Sequence, residues 1–205
     1  PLTIAIREAL ATAPTPPDIL VLGNHGLVVG GADCSAAEAL LQTVEARLAL
    51  PARTPPPGIP GTLQEANDLG WLPAGLPLLD AIGTDPVCRE IASTGALYPD
   101  HVVFLGERAV SVDGHYPLSQ ALADARSAGI APPPYAVVAG AGVLLSPDLP
   151  AGGRAMLGCL ADVGLRTAPG TSLRYLDGSD AAELLGWEAE AYRRARDTVT
   201  GHSAP

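Results

Sequence analysis

The sequence contains no lysine, and all twelve of its basic residues are arginine. Schiff-base chemistry, which needs a lysine amine, is thereby excluded within this chain. Basic charge is short altogether: 22 acidic residues stand against 12 Arg, for a net charge of −10 and a pI near 4.6. Nucleic acid and anionic membrane surfaces require a basic face, so neither is expected as a partner. Cysteine is scarce too. Cys34, Cys88 and Cys159 are odd in number, far apart and without a C-x-x-C spacing. That excludes a disulfide framework and a Cys-based zinc site, and predicts buried thiols in a reducing cytosol. No apolar run approaches the roughly 20 residues of a membrane span, and no secretory leader is recognisable. Neither G-x-G-x-x-G nor G-x-x-x-x-G-K-[ST] nor G-x-S-x-G occurs, which argues against nucleotide binding and a serine nucleophile elbow.

What is abundant is apolar surface and chain punctuation. Hydrophobic residues make up 47% of the 205 residues and charged residues 17%, enough to bury a core in one large domain or two small ones. Pro (21) and Gly (23) divide the apolar segments into many short elements.

An internal repeat organises these elements. Residues 1–29 (PLTIAIREALATAPTPPDILVLGNHGLVV) align without a gap on residues 117–145 (PLSQALADARSAGIAPPPYAVVAGAGVLL). Pro1, Leu2, Ala5, Ala9, Pro16, Pro17, Val21 and Gly26 face identical residues, and Leu40, Leu41 and Val44 continue in step with Met156, Leu157 and Leu160. Each copy predicts a helix started by Pro-Leu-Thr/Ser, a Pro-rich stop, an apolar strand (Ile19 to Leu22; Ala136 to Val138), a glycine turn and a second strand (Leu27 to Val29; Val143 to Leu145). A helix follows, which Ser35 with Glu38 would start as a capping box. The fold class expected is α/β in the layered α+β sense, with a mainly antiparallel or mixed sheet and a helix-strand-turn-strand-helix repeat.

Only the second copy has a front. A helix from Asp85 to Ser93 and strands from His101 to Leu105 and Ala109 to Val112 are expected before it. A hairpin with two helices buries too little surface to stand alone, so residues 1–49 are expected to be the C-terminal part of a domain whose front half is absent. Residues 50–61 (LPARTPPPGIPG) read as a stiff Pro-rich linker. Residues 62–198 form the second domain, closed by a helix starting at Asp180 and Glu183 with Leu184, Trp187, Ala191 and Ala195 on one face; residues 199–205 are a tail.

Few side chains are candidates for chemistry. Of four histidines, His202 lies in the tail, His115 follows an Asp-Gly turn and His101 opens an expected strand. Glu38, Glu45 and Glu188 read as solvated helix positions. His25 stands apart, between Asn24 and Gly26 at the tip of an apolar strand, where the turn fixes the direction of its imidazole. A hydrogen-bonded turn histidine and a metal ligand both fit that placement.

The segment ILVLGNHGLVVGGADCSAAEALLQTVEARL resembles the closing part of the class II aldolase/adducin family. The stretches LYPDHVVFLG, YAVVAGAGVLL and RYLDGSDAAELLGWEAEAYRRA are similar to the C-terminal region of its longer members, related to the aldolase portion of rhamnulose-phosphate aldolase/dehydrogenase fusions. The resemblance implies a zinc-dependent carbon–carbon lyase acting on a small hydroxy-carbonyl substrate, a sugar or sugar phosphate, through a metal-stabilised enediolate. It places His25 as one of three metal-ligating histidines. The other two, in a His-x-His strand, and the catalytic Glu belong to the family's upstream region and have no match here, so the catalytic residues are expected before Pro1 and zinc is expected only in the intact protein. Ala141 stands where the first copy has His25, which makes the second domain a degenerate copy. The implied partners are the small-molecule substrate, an upstream part of the same protein and further copies in a cytoplasmic homo-oligomer. Two other readings stand beside this lyase or related epimerase: a non-catalytic, adducin-like interaction protein, and a dehydrogenase-fused enzyme whose reductase portion follows Pro205.

Overall fold

The computed structural model describes residues 2–186. It divides into two compact units, the first ending at Leu50 and the second beginning at Pro51. Both are mixed α/β.

The first unit runs α1 (Leu2–Thr12), β1 (Ile19–Leu22), β2 (Gly26–Val29), α2 (Cys34–Leu48), with β1 and β2 as an antiparallel pair. Asp33 rather than Ser35 starts α2. Its backbone is extended and its carboxylate accepts the Ala36 N–H at 2.8 Å, satisfying one of the helix's open donors.

The second unit holds α3 (Thr62–Glu65), β3 (Leu72–Pro73), α4 (Pro77–Thr84), α5 (Pro86–Thr94), α6 (Pro99–Leu105), β4 (Val110–Val112), α7 (Leu118–Ser127), β5 (Tyr135–Val138), β6 (Gly142–Leu145), α8 (Ala151–Arg166) and α9 (Gly178–Gly186). Its sheet has the order β3-β6-β5-β4, with β4 parallel to β5 and the other pairs antiparallel. The strand expected from His101 to Leu105 is instead α6. Pro99 at the first helical position and Asp100 in the first turn start a helix after the extended Tyr98, and this outweighs the β-branched pair Val102-Val103. The second copy's Ser119 is not a cap either. Pro117 holds that position, and the Asp68 carboxylate accepts the Ser119 N–H at 3.1 Å. The final helix starts on Asp177, whose carboxylate accepts the Ser179 and Asp180 N–H groups. Its expected continuation through Trp187, Ala191 and Ala195, and the tail beyond, lie outside the described residues.

The repeat is visible in the backbone. Adding 116 to β1 and β2 gives β5 and β6 residue for residue, and the cross-strand pairs Ile19↔Val29 and Leu22↔Gly26 become Tyr135↔Leu145 and Val138↔Gly142. The bond closing the hairpin base recurs, from Gly30 N to Asp18 O and from Ser146 N to Pro134 O, as does the turn bond from His25 N to Leu22 O and from Ala141 N to Val138 O.

Burial separates the copies. Alternate residues of β5 and β6 face opposite ways. Tyr135, Val137, Val143 and Leu145 enter one core with Ile82, Ile91 and Leu157, while Ala136, Val138 and Leu144 enter another with Leu118 and Leu122. The sheet is thus covered by helices on both faces, which is why these strands are continuous apolar runs. In the first unit, Val44 is the one buried hydrophobic residue among those described; Val21 is 76% exposed, where its counterpart Val137 is 0%.

Two glycines permit the second unit's packing. A Cβ on Gly83 of α4 would lie 2.1 Å from the Gly142 carbonyl oxygen, and one on Gly164 of α8 would lie 2.6 Å from Cys88 Sγ. Gly83→Ala gains about 1 kcal/mol of helix propensity but drives α4 off the hairpin, so a net destabilisation of about 1–3 kcal/mol is expected. Urea unfolding checks this, and a variant as stable as wild type or more so contradicts the packing described.

Candidate functional site

The Asn24-His25-Gly26 turn owes its shape to backbone dihedrals that few residues tolerate. Asn24 has φ +59° and is the only non-glycine with positive φ among the described residues; Gly26 has φ +116°. The second copy makes the same turn with Gly140 at +74° and Gly142 at +145°. The residue between them has no such constraint, being His25 in one copy and Ala141 in the other. The turn therefore forms without an imidazole, and the fold does not explain His25. Its ring is exposed, with Nδ1 3.3 Å from the Gly23 carbonyl oxygen. A proton on Nδ1 would be donated there, leaving Nε2 as the nitrogen able to accept or to ligate.

The turn presents one imidazole, but among the described residues no group of three or more His, Cys, Asp or Glu side chains could hold a metal ion. The residues present supply one donor and do not amount to a catalytic zinc site, which takes three protein ligands. The other histidines are placed apart from any such role. His115 lies in an exposed turn whose Asp113 accepts the His115 and Tyr116 N–H groups, and His202 is outside the described residues. His101 is fully buried on α6, its Nδ1 receiving the Leu97 N–H at 3.4 Å and its Nε2 without a hydrogen-bond partner. Cys88 is buried as expected, and burial pushes its thiol up to about 12, whereas Cys34 and Cys159 are exposed.

The counterpart position in the second unit is a cavity. Ala141 lines a pocket of about 470 Å³ with Pro57, Ile59, Leu63, Asp80 and Thr84. One wall is the Pro-rich segment, which is counted with the second unit and is pinned at both ends. Arg53 forms a two-pronged ion pair with Asp85 (Nη2–Oδ1 2.7 Å, Nε–Oδ2 3.3 Å) and donates to the carbonyls of Gly164 and Thr167. Further on, the Ile59 N–H donates to Gly140 O at 3.0 Å, and Gly58 lies so close to Ala141 that a Cβ would be 2.3 Å from its carbonyl oxygen. Asp85 is buried, and burial raises its pKa, yet the Arg53 hydrogen bonds and charge and the Cys88 N–H outweigh that and hold it below the ordinary carboxylate value. Asp80 is the reverse case. Burial raises it, the nearby Val143 N–H opposes this only in part, and its Oδ1 is sequestered without a hydrogen bond in good geometry.

Compared with known proteins, the chain matches no family model, no curated protein and no solved structure. No helix among the described residues is long and apolar enough to cross a membrane.

Burial of neutral His101 sets a pH dependence. Its pKa is lowered from 6.5 to about 4 by desolvation. The unfolded chain therefore takes up a proton near pH 6.5 that the folded chain refuses until about pH 4, so this stability is complete above 6.5 and is lost as pH falls between those values. A loss of about 2 kcal/mol from pH 7 to pH 5 follows from that linkage. His101→Gln should remove most of it in urea titrations at the two pH values; an unchanged pH slope would show that His101 is not its source.

Proposed function

We propose that this protein takes part in a metal-dependent carbon–carbon lyase reaction of the class II aldolase kind on a small hydroxy-carbonyl substrate, with His25 contributing one metal ligand. The observation that carries this reading is the comparison of the two turns: the same backbone forms with Ala141, so the imidazole of His25 is surplus to folding. An exposed imidazole whose ring a neighbouring carbonyl can fix suits a ligand. When bound, a divalent metal would supply Lewis-acid polarisation of the substrate oxygens. The chain's own contribution is to present one oriented nitrogen from a short strand–turn–strand. The second unit, with Ala141 in that position, has no ligating part in this reading.

The open surface of the first unit fits the same proposal. Its hairpin has two unpaired outer edges among the described residues, where β5 and β6 are flanked by β4 and β3. A metal site completed by groups outside these residues needs such a surface.

Elemental analysis of the protein purified from its source decides the point. His25→Ala is expected to stay folded and to lose more than the roughly 10–100-fold in metal affinity typical of a group that only orients a ligand, with lyase activity lost alongside. Equal zinc in wild type and His25→Ala would remove His25 as a ligand and favour the adducin-like interaction role. Ala141→His is expected to recruit no metal.

A further inference from the structure

The pocket beneath Ala141 has the make-up of a binding site in its own right. Its walls are apolar and stiff: proline rings, Ile59 and Leu63 on one side and α4 on the other. The proline segment cannot relax away, because Arg53 anchors one end on Asp85 and the Ile59 N–H anchors the other on Gly140. A cleft of this volume with rigid, mostly apolar walls and a few converging polar groups is the usual form of a small-molecule site.

One charged group defines its chemistry. Asp80 lines the cavity, and its carboxylate settles against Gly142, where a Cβ would stand 2.5 Å from Oδ1. No described residue lining the pocket is basic; Oδ1 is buried against Gly142 without a hydrogen-bond partner, so a ligand in the cavity meets the carboxylate at its other oxygen. A partly desolvated carboxylate with neither cation nor full hydrogen bonding is costly and gains most from a cationic donor. Thr84, itself buried, adds a hydroxyl able to donate or accept. Anionic ligands meet an unpaired carboxylate and a chain of net charge −10, so they are disfavoured.

We propose that this pocket binds a small primary amine, its ammonium group at Asp80 and Thr84 and its aliphatic body against the proline wall. This site belongs to the second unit alone and stands independently of the lyase reading.

The test uses the full chain and three probes of one length: n-butylammonium, n-butanol and n-butyrate. In NMR titrations, n-butylammonium should give saturable shifts at Leu63, Thr84 and Ala141, with butanol at least about tenfold weaker and butyrate silent. Asp80→Asn should weaken the amine about tenfold, as expected for losing one charge-assisted hydrogen bond, while leaving the unfolding transition cooperative. Absence of saturable shifts with the amine, equal response to butyrate or butanol, or undiminished amine binding by folded Asp80→Asn overturns the proposal. Should Asp80→Asn fail to fold, the three-probe ranking on wild type decides it by the same criteria.

Discussion

The β5–β6 hairpin has to bury both of its faces, and the second unit is arranged around that requirement. A strand pair whose alternate side chains all need apolar cover must lie inside a sheet with helices above and below. Here β3 and β4 take the two edges, α4, α5 and α8 close one face, and α7 with α3 closes the other. Each large aliphatic side chain removed from water contributes about 1.5–3 kcal/mol, so the hairpin's residues are a principal source of stability. Close cover in turn demands close backbones. Gly83 against Gly142, and Gly58 against Ala141, are points where no side chain would fit. The first unit has the same hairpin without that cover, and its Val21 and Val28 stay exposed.

The ion pair of Arg53 and Asp85 extends this arrangement to the Pro-rich segment. Asp85 already serves α5 by accepting the Val87 and Cys88 N–H groups through Oδ1. The guanidinium then uses both carboxylate oxygens and carbonyls at the end of α8, so one arginine ties a connecting segment, a helix start and a helix end. A planar fork of donors suits this task, and a lysine would not reproduce it. Segments rich in proline have no ladder of their own to hold them. This one is fixed by its single cation and by the Ile59 N–H, which is how a connector becomes a pocket wall.

Much of the fold was legible because the chain marks its own elements. Ile19 to Leu22 and Ala136 to Val138 are short apolar runs with Pro before and Gly after, and length separates them from helices; the second strand begins one residue earlier than expected, at Tyr135. The repeat carried the turn and the register with them. Local cues failed where they competed. Val102-Val103 suggested a strand, but Pro99 fixed a helical start, and the helix buries His101, Val102, Val103 and Leu105. Ser35 had the right spacing for a cap, while Asp33 stood two residues earlier with the stronger acceptor. Of the candidate sites, His25 could be found because a turn motif is local. The pocket could not, since Pro57, Asp80 and Ala141 are far apart in sequence and meet only because glycines let three backbones approach. An Asp embedded in LPLLDAIG was its one visible sign, a charge amid residues destined for the core.

Duplication within one chain gives a comparison that a single sequence ordinarily lacks. Two turns with positive φ at the same two positions and the same turn hydrogen bond differ at their first three residues, Gly23-Asn24-His25 against Ala139-Gly140-Ala141, which separates what the backbone requires from what it merely carries. Positive φ at the positions flanking residues 25 and 141 is required, and Asn or Gly meets it. Imidazole at the centre is not required. Where the histidine is present, the surrounding surface is open and apolar; where it is absent, a rigid wall of prolines encloses a carboxylate instead. The same structural unit thus stands in two settings, one leaving an imidazole exposed and the other packed beside a pocket lined by a carboxylate. The difference lies in what packs against the turn, not in the turn itself.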